Sequence, residues 1–366
     1  MKSILFINLH PFNVTGGGET FTANTIKSCA LAGLECDLVA FERPTPSTSQ
    51  LPHRLETTMV QAVTKSCAHA GRRQSWRATL DAIPSYDAIW VQQYLGARHT
   101  FDVITATAGD QPLLFTSHGH EPQLQEFITH YQPAGHHYFV EVSAYALSRL
   151  PAGVNSCAPG AGAWRSLIRP RRPNPSQAKP QGLQLVAIGR ILAHKGFEHT
   201  IAGLGENDSL DVIGGCPDPT YLAFLRDRAV GKKVKFHGLL SRTLLEERIQ
   251  VADALVASST HKLYDGRTIA QPELLGLVLF EAVAAGALPI CSDCPAFVEV
   301  MGHLGLREWV YKENRPDCLR EKLNRWRLMP VDTRQAVLTR ATEKMMQTCL
   351  WDDYWPRINN HFRLSP

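Results

Sequence analysis

The sequence predicts an α/β protein of two domains, each built on a parallel sheet. Three observations carry that prediction: the length, short apolar runs that alternate with helix-compatible segments, and a proline-rich interruption near mid-chain. A chain of 366 residues exceeds the ~250–300 residues at which a single hydrophobic core stops growing. With 44% hydrophobic and 20% charged residues, it has enough apolar material for two cores. The first series of runs is ILFIN (4–8), CDLVAF (36–41), AIWVQ (88–92), LLFTS (113–117) and YFVEV (138–142), the last followed by the helical SAYALSRL (143–150). Such alternation reads as βαβ units. RPRRPNPSQAKPQG (169–182) has four prolines and almost nothing to bury, so it reads as a linker. The rhythm then restarts with LQLVAIG (183–189), LDVIG (210–214), VKFHG (234–238), ADALVASS (252–259) and ALPICS (287–292). The tail WDDYWPRINNHF (351–362) suits an amphipathic helix packed on a surface.

Composition narrows the function classes. The formal charge of +4 comes without a long Lys/Arg run, which gives little support to a nucleic-acid groove and suits an anionic ligand or acidic lipid equally well. Nine cysteines, an odd number scattered through apolar stretches, point to free thiols in a reducing cytoplasm. Cys291 and Cys294 form a lone CxxC, read as a strand-to-loop turn because no second pair at zinc spacing accompanies it. The start MKSILFINLHPF has the pattern of a first core strand more than of a signal peptide. The longest apolar stretch, 274–291, contains Glu281, Gly286 and Pro289. A charge at mid-span costs about 2.5–3.5 kcal/mol on insertion scales, so this stretch reads as a core helix plus a strand. A cytoplasmic protein is expected, with peripheral contact at the inner face of the membrane left open.

The residues suited to chemistry cluster after the apolar runs. In ELLGLVLFE, Glu273 and Glu281 flank Gly276. Gly276 opens a helix whose first N–H groups, those of Leu277 and Val278, form an anion site. Glu281 lies about 7.5 Å further along by helical rise, so one element can grip two parts of a ligand. A glycosidase also uses two carboxylates, about 5–9.5 Å apart, whereas eight helical positions span about 12 Å; Glu273 precedes the helix, so the comparison weakens that reading without closing it. Arg190 and Lys195, in GRILAHKG, follow a strand and precede a helix, where they can neutralise a diphosphate leaving group. TGGGET (15–20) places Gly16, Gly17 and Gly18 between a strand and a helix, where backbone can approach a ligand closely. Glu42 near the second strand suggests a dinucleotide fingerprint, but Phe21 stands where its last glycine is needed, which argues against a dehydrogenase. His118 follows a strand at the ligand-binding edge, with His120 as rival; His237 and Gly238 end a strand of the second half. No DxD motif with a supporting acidic cluster occurs, and Asp352 with Asp353 sits in the tail. No metal or other cofactor is therefore expected.

ELLGLVLFE resembles the E-x7-E signature of retaining GT-B glycosyltransferases, specifically the GT4 family. The likeness extends through AIGRILAHKGFEHTIAGL (187–204), the strand series to Ser259 and ICSDCPAFVEV (290–300). It implies a GT-B fold, two Rossmann-like domains with parallel sheets facing across a cleft. Residues 1–168 would form the acceptor side, joined by a returning helix at 351–366, with 169–182 as linker and 183–350 holding the donor. It further implies a retaining transfer from a nucleotide diphosphate sugar to a hydroxyl acceptor in polysaccharide or glycoconjugate synthesis. UDP is favoured, with GDP and ADP open, and the acceptor would be a saccharide, a lipid-linked group or a small molecule. In that family the first glutamate, here Glu273, sits by the transferred sugar, and the second, Glu281, binds the ribose hydroxyls. Arg190 and Lys195 match the phosphate-binding pair, Gly16–Gly18 a loop facing the phosphates and acceptor, His118 a histidine beside the sugar, and His237 a position near the base. The rivals are a GT-B epimerase or phosphorylase, and a catalytically silent nucleotide-sugar-binding subunit. The chain departs from the family pattern at 260–272, THKLYDGRTIAQP, an insertion expected to form a mobile loop whose Tyr264, Asp265 and Arg267 can hydrogen-bond a hydroxylated ligand.

Overall fold

The computed structural model describes residues 1–8, 16–41, 56–61, 72–92, 98–118, 134–169 and 182–364. Thr15, Glu42, His120 and residues 170–181 lie outside them. The chain forms two compact units, Met1–Ala161 together with Trp351–Pro366, and Gly162–Leu350.

In the first unit, β1 (Ser3–Asn8), β2 (Glu35–Phe41), β3 (Glu56–Gln61), β4 (Arg72–Ser75), β5 (Ala88–Gln92), β6 (Leu113–Thr116), β7 (His137–Val140) and β8 (Ser156–Cys157) form one sheet. Its order is β4-β3-β2-β1-β5-β6-β7-β8. The strands from β2 through β8 in that order pair in parallel, and β3 and β4 add an antiparallel edge. The central strands β5 and β6 are buried along their length, and β1 is buried except at Ser3, because a sheet covered on both faces needs continuous apolar runs rather than alternation. Leu5, Ile7, Val39, Ile89, Val91, Phe115 and Phe139 form the centre of one core cluster.

The tail completes this unit. Trp351, Tyr354, Trp355 and Ile358 are buried, the last three on the helix Tyr354–Phe362. Trp351 and Tyr354 meet Phe21 edge-on, with ring centroids 4.9 and 5.7 Å away. The Trp355 N–H donates to Ser28 Oγ at 3.0 Å.

The second unit holds β9 (Gln184–Ile188), β10 (Ser209–Ile213), β11 (Lys233–Gly238), β12 (Ala254–Ala257), β13 (Leu288–Ser292) and β14 (Val310–Tyr311). They lie in the order β11-β10-β9-β12-β13-β14, and every pair is parallel. Its N-terminal limit falls ahead of the proline-rich stretch: a side chain at Gly162 would meet Phe280 and the Cys349 carbonyl at 2.7 Å, and the Arg169 N–H donates to the Ala284 carbonyl at 2.8 Å.

Both sheets contain a topological switch point, where successive strands run off to opposite sides and loops splay apart to leave a ligand crevice. In the first unit it lies between β1 and β5, and in the second between β9 and β12. This is the two-Rossmann-domain GT-B fold. Among the described residues no helix is long and apolar enough to cross a membrane.

Trp355→Ala should remove about 3–5 kcal/mol from the first unit, the usual cost of emptying a large buried aromatic site. Urea unfolding followed by tryptophan fluorescence and circular dichroism should show the midpoint of that unit fall; an unchanged midpoint would mean that the tail does not contribute to its core.

Candidate functional site

In the first unit the polar residues gather at the switch point. Gln92 ends β5, wholly buried, and its Oε1 accepts from Thr22 Oγ1 at 3.2 Å and lies 2.6 Å from His118 Nε2. The imidazole is held neutral, because burial of the ring pushes its pKa down from 6.5 to about 3. Thr22 lies on the helix Gly17–Leu31, and Phe21 beside it packs on the His118 ring at 5.1 Å. The start of that helix has Gly16 as its N-cap, and no side chain caps it. A methyl group on Gly16 would strike the Glu19 carboxylate, whereas around Gly17 the space is open. Gly18 continues this first turn. Gln92 and Thr22 did not stand out in the sequence; a buried amide closing an otherwise apolar strand is the signal that marks Gln92.

In the second unit Lys195 follows β9 and Glu273 follows β12, the two strands that flank the switch point. Lys195 Nζ lies 2.6 Å from Glu273 Oε2, both side chains about one-fifth exposed. The ion pair depends on a close backbone approach. Gly196 has φ 60°, and a side chain there would strike the Ser258 carbonyl, which lies 2.2 Å from the Cβ position. Glycine alone permits both features. Arg190 is exposed. His194 in the same turn is pushed down to about 4, chiefly by burial, with Lys195 and Arg190 lowering it and Glu273 opposing them. Arg190, His194, Lys195 and Glu273 therefore share one electrostatic neighbourhood.

Gly276 is the N-cap of the helix Leu277–Ala285, with φ 92° and no side-chain cap. The helix start at Leu277 and Val278 thus has no side-chain cap, the arrangement whose backbone donors attract anions. Glu281, one helical turn further on, pairs with Arg242 at 2.8 Å, and Arg242 also holds Glu246 at 2.6 Å. Arg242 carries no sequence signature that links it to Glu281. His237, at the end of β11, has Nε2 2.7 Å from Asp211 Oδ1.

The insertion 260–272 is a loop closed by internal and neighbouring backbone bonds. Lys262 and Thr268 form an antiparallel bridge, the Leu263 N–H donates to the Arg267 carbonyl at 2.8 Å, and the Thr260 N–H donates to the His194 carbonyl at 2.9 Å. Its side chains also make contacts within the second unit. Tyr264 stacks on Phe224 and Tyr221 at 4.5 and 5.1 Å, and Asp265 pairs with Arg267 at 2.7 Å. Apolar stacking wins because Tyr264 finds two rings on the helix Pro219–Arg228. The CxxC likewise serves no pairing of its two thiols. Cys291 is buried in β13, whereas Cys294 Sγ donates to the Ser259 carbonyl at 2.9 Å and lies 3.9 Å from Glu313 Oε2.

A GT-B fold with candidate site residues at a switch point in each unit defines the class, and comparisons with known proteins agree with the fold. Residues 169–344 match the family model described as Glycosyl transferases group 1. An uncharacterized glycosyltransferase of Methanocaldococcus jannaschii is 25% identical over 187 residues, covering 50% of this chain and 45% of that protein. The match thus spans about half the length of the curated relative. A glycosyltransferase from Rickettsia africae superposes with a TM-score of 0.72 at 12% identity, covering 99% of this chain and 98% of that one. Sucrose-phosphate synthase from Thermosynechococcus elongatus gives 0.69 at 16% identity, covering 99% and 98%. A trehalose-6-phosphate structure from E. coli, bound with UDP-2-fluoro glucose, gives 0.67 at 10% identity over 100% of both chains. Together these likenesses support the GT-B fold, and the family match places a glycosyl-transferase group 1 segment at residues 169–344.

The folded-state pKa of about 3 for His118 lies below the ~6.5 of an unfolded histidine. Between those values the unfolded chain binds more protons, so the contribution of His118 to stability is present at neutral pH and is lost as the pH falls through that window. An NMR titration of the His118 ring, assigned with a His118→Gln variant, should show no inflection between pH ~8 and ~5. A midpoint near 6.5 would mean a solvated ring without the Gln92 bond.

Proposed function

We propose that the protein is a retaining glycosyltransferase that takes a sugar from a nucleotide diphosphate donor, UDP-linked in the favoured case, and passes it to a hydroxyl of a saccharide, lipid-linked or small-molecule acceptor in polysaccharide or glycoconjugate synthesis. The observation that carries this reading is the Lys195–Glu273 pair at the β9/β12 switch point, followed by an uncapped helix start and by Glu281 on that helix. A cation for the diphosphate, a carboxylate for the sugar, backbone donors and a second carboxylate for the ribose follow one another on two adjacent strand ends. This suits a ligand with those parts in that order.

Chemically, the bond between the anomeric carbon and the donor phosphate oxygen breaks while the acceptor oxygen bonds to the same face of that carbon. The acceptor proton passes to the departing phosphate, which leaves as nucleoside diphosphate. Arg190 and Lys195 act where negative charge grows, so they contribute to the transition state more than to the ground state. Lys195 exchanges Glu273 for phosphate as the donor binds, which frees the Glu273 carboxylate for the sugar hydroxyls. His118, neutral and hydrogen-bonded through Nε2 to Gln92, takes the role beside the sugar that the family resemblance implies. Gly16, Gly17 and Gly18 let backbone approach the phosphates and the acceptor, and His237, anchored by Asp211, lies toward the base. Arg242 holds Glu281 in position for the ribose. No diphosphate-bridging metal takes part, since the two cations and the helix start fill that role. The same residues favour an active enzyme over a silent binding subunit. The location is cytoplasmic, with peripheral contact at the inner membrane face.

Arg190→Ala and Lys195→Ala should each lower turnover by about 10²–10³, as for loss of one charge-stabilising donor, with nucleoside affinity nearly unchanged. Glu281→Ala should instead weaken nucleoside binding about 10- to 100-fold, the worth of hydrogen bonds to a charged group. Donor hydrolysis and calorimetry measure the two quantities. Equal loss of nucleoside affinity in all three variants, with turnover intact, would overturn the division of roles.

A further inference from the structure

Three strand ends of the second unit bring together a donor set that the transfer chemistry leaves unused. His261 opens the insertion after β12, Cys294 precedes the helix Pro295–His303 after β13, and Glu313 follows β14. One ligand atom from each of these residues lies within 4.8 Å of the other two. His261 Nδ1 is 3.0 Å from Glu313 Oε2, and Cys294 Sγ is 3.9 Å from the same oxygen. We propose that His261, Cys294 and Glu313 form a Zn2+ site that ties these three strand ends together.

The geometry and the chemistry of the donors both favour zinc. Zinc bonds of about 2.0–2.2 Å to nitrogen and oxygen and 2.3 Å to sulfur give tetrahedral edges of roughly 3.4 Å between N and O and 3.6 Å between S and O. The observed 3.0 and 3.9 Å need shifts of only a few tenths of an ångström. His261, about one-third exposed, has room to turn and close the remaining edge. One thiolate, one imidazole and one carboxylate form a borderline donor set that excludes Mg2+ and Ca2+, which require oxygen, and suits Zn2+ with water in the fourth position. Cys294 is wholly buried, so the bond to sulfur would be shielded from solvent.

Hydrogen bonds around the cluster brace the backbone that carries it. The Glu313 N–H donates to Asp293 Oδ1 at 2.9 Å, the His261 N–H donates to Glu313 Oε2 at 3.1 Å, and Thr260 Oγ1 donates to Asn314 Oδ1 at 2.8 Å. On binding, the Cys294 thiol proton passes to solvent as the S–Zn bond forms, and the Sγ–H bond to the Ser259 carbonyl is given up. Any proton on His261 Nδ1 moves to Nε2. The ion is separate from the cations assigned to the donor phosphates. Its role is to fix the base of the 260–272 loop that leads to Glu273.

The test uses the whole protein, tag removed. Metal analysis by plasma mass spectrometry should find about one zinc per chain, and Co2+ added to metal-stripped protein should give a thiolate charge-transfer band. Cys294→Ser should abolish the band and weaken Co2+ binding by at least about 100-fold, at or above the loss on removing a supporting second-shell group. His261→Ala should weaken binding comparably, and Cys318→Ser, at a free cysteine on the helix Pro316–Leu328, should change nothing. Absence of a thiolate band in the wild type at saturating Co2+ would overturn the proposal. So would a band that survives Cys294→Ser, because the ion would then sit on another cysteine. Neither result requires a variant to be active, and nucleoside binding is measured separately, so failure here leaves the transferase reading untouched.

Discussion

The ion pair between Lys195 and Glu273 is the constraint around which the second unit is arranged. It joins the loop after β9 to the loop after β12 at the one place where a parallel sheet opens. A partly buried pair is costly to leave half-made, because removal of one partner strands a charge in a poorly solvated place. In the absence of ligand each group therefore neutralises the other. A ligand that carries both a phosphate and hydroxyl groups can replace both partners at once, and this is the physical content of the donor-binding reading.

That pair is available only because backbone comes unusually close to backbone nearby. Gly196 lies against the Ser258 carbonyl, and Gly214 against the Gly189 carbonyl, which a Cβ at Gly214 would approach to 1.9 Å. Gly276, at φ 92°, also fits against Phe297, whose ring would lie 2.5 Å from a Cβ. Any larger residue at these points would push a loop away from the switch point. The first unit uses the same logic with different chemistry: a neutral histidine is fixed by a buried amide and a threonine beside an uncapped helix start.

Much of the fold was legible because buried parallel strands must be apolar along their whole length. Each of the runs from ILFIN to ALPICS coincides with a strand, and the tail is helical. Three of the four edge strands, β4, β8 and β14, escaped notice for the opposite reason. RRQS in β4 is largely exposed and carries no hydrophobic pattern, while β8 and β14 have two residues each, too few for any periodicity. Within the site, residues close in sequence were legible and partners distant in sequence were not. Glu273, Gly276 and Glu281 could be read as one motif. Arg242 against Glu281, Gln92 against His118, and Cys294 against His261 and Glu313 are made by topology, which sequence spacing does not reveal. The insertion 260–272 is likewise a loop whose packing comes from topology: two aromatic rings on another helix hold its Tyr264.

The account stands or falls on whether the second unit takes up a nucleoside diphosphate. The most direct measurement is a thermal-unfolding panel with UDP, GDP and ADP and their sugars, run on the wild type and on Lys195→Ala with Glu281→Ala combined. A ligand at a hundred times its dissociation constant adds about 2.7 kcal/mol, which for a unit of this size raises the unfolding temperature by roughly 5–10 °C. One nucleotide series should raise it by that amount in the wild type and leave the double variant unmoved. If no nucleotide or nucleotide sugar shifts the wild-type transition at millimolar concentration, the second unit does not hold a nucleotide donor and the transferase reading is wrong.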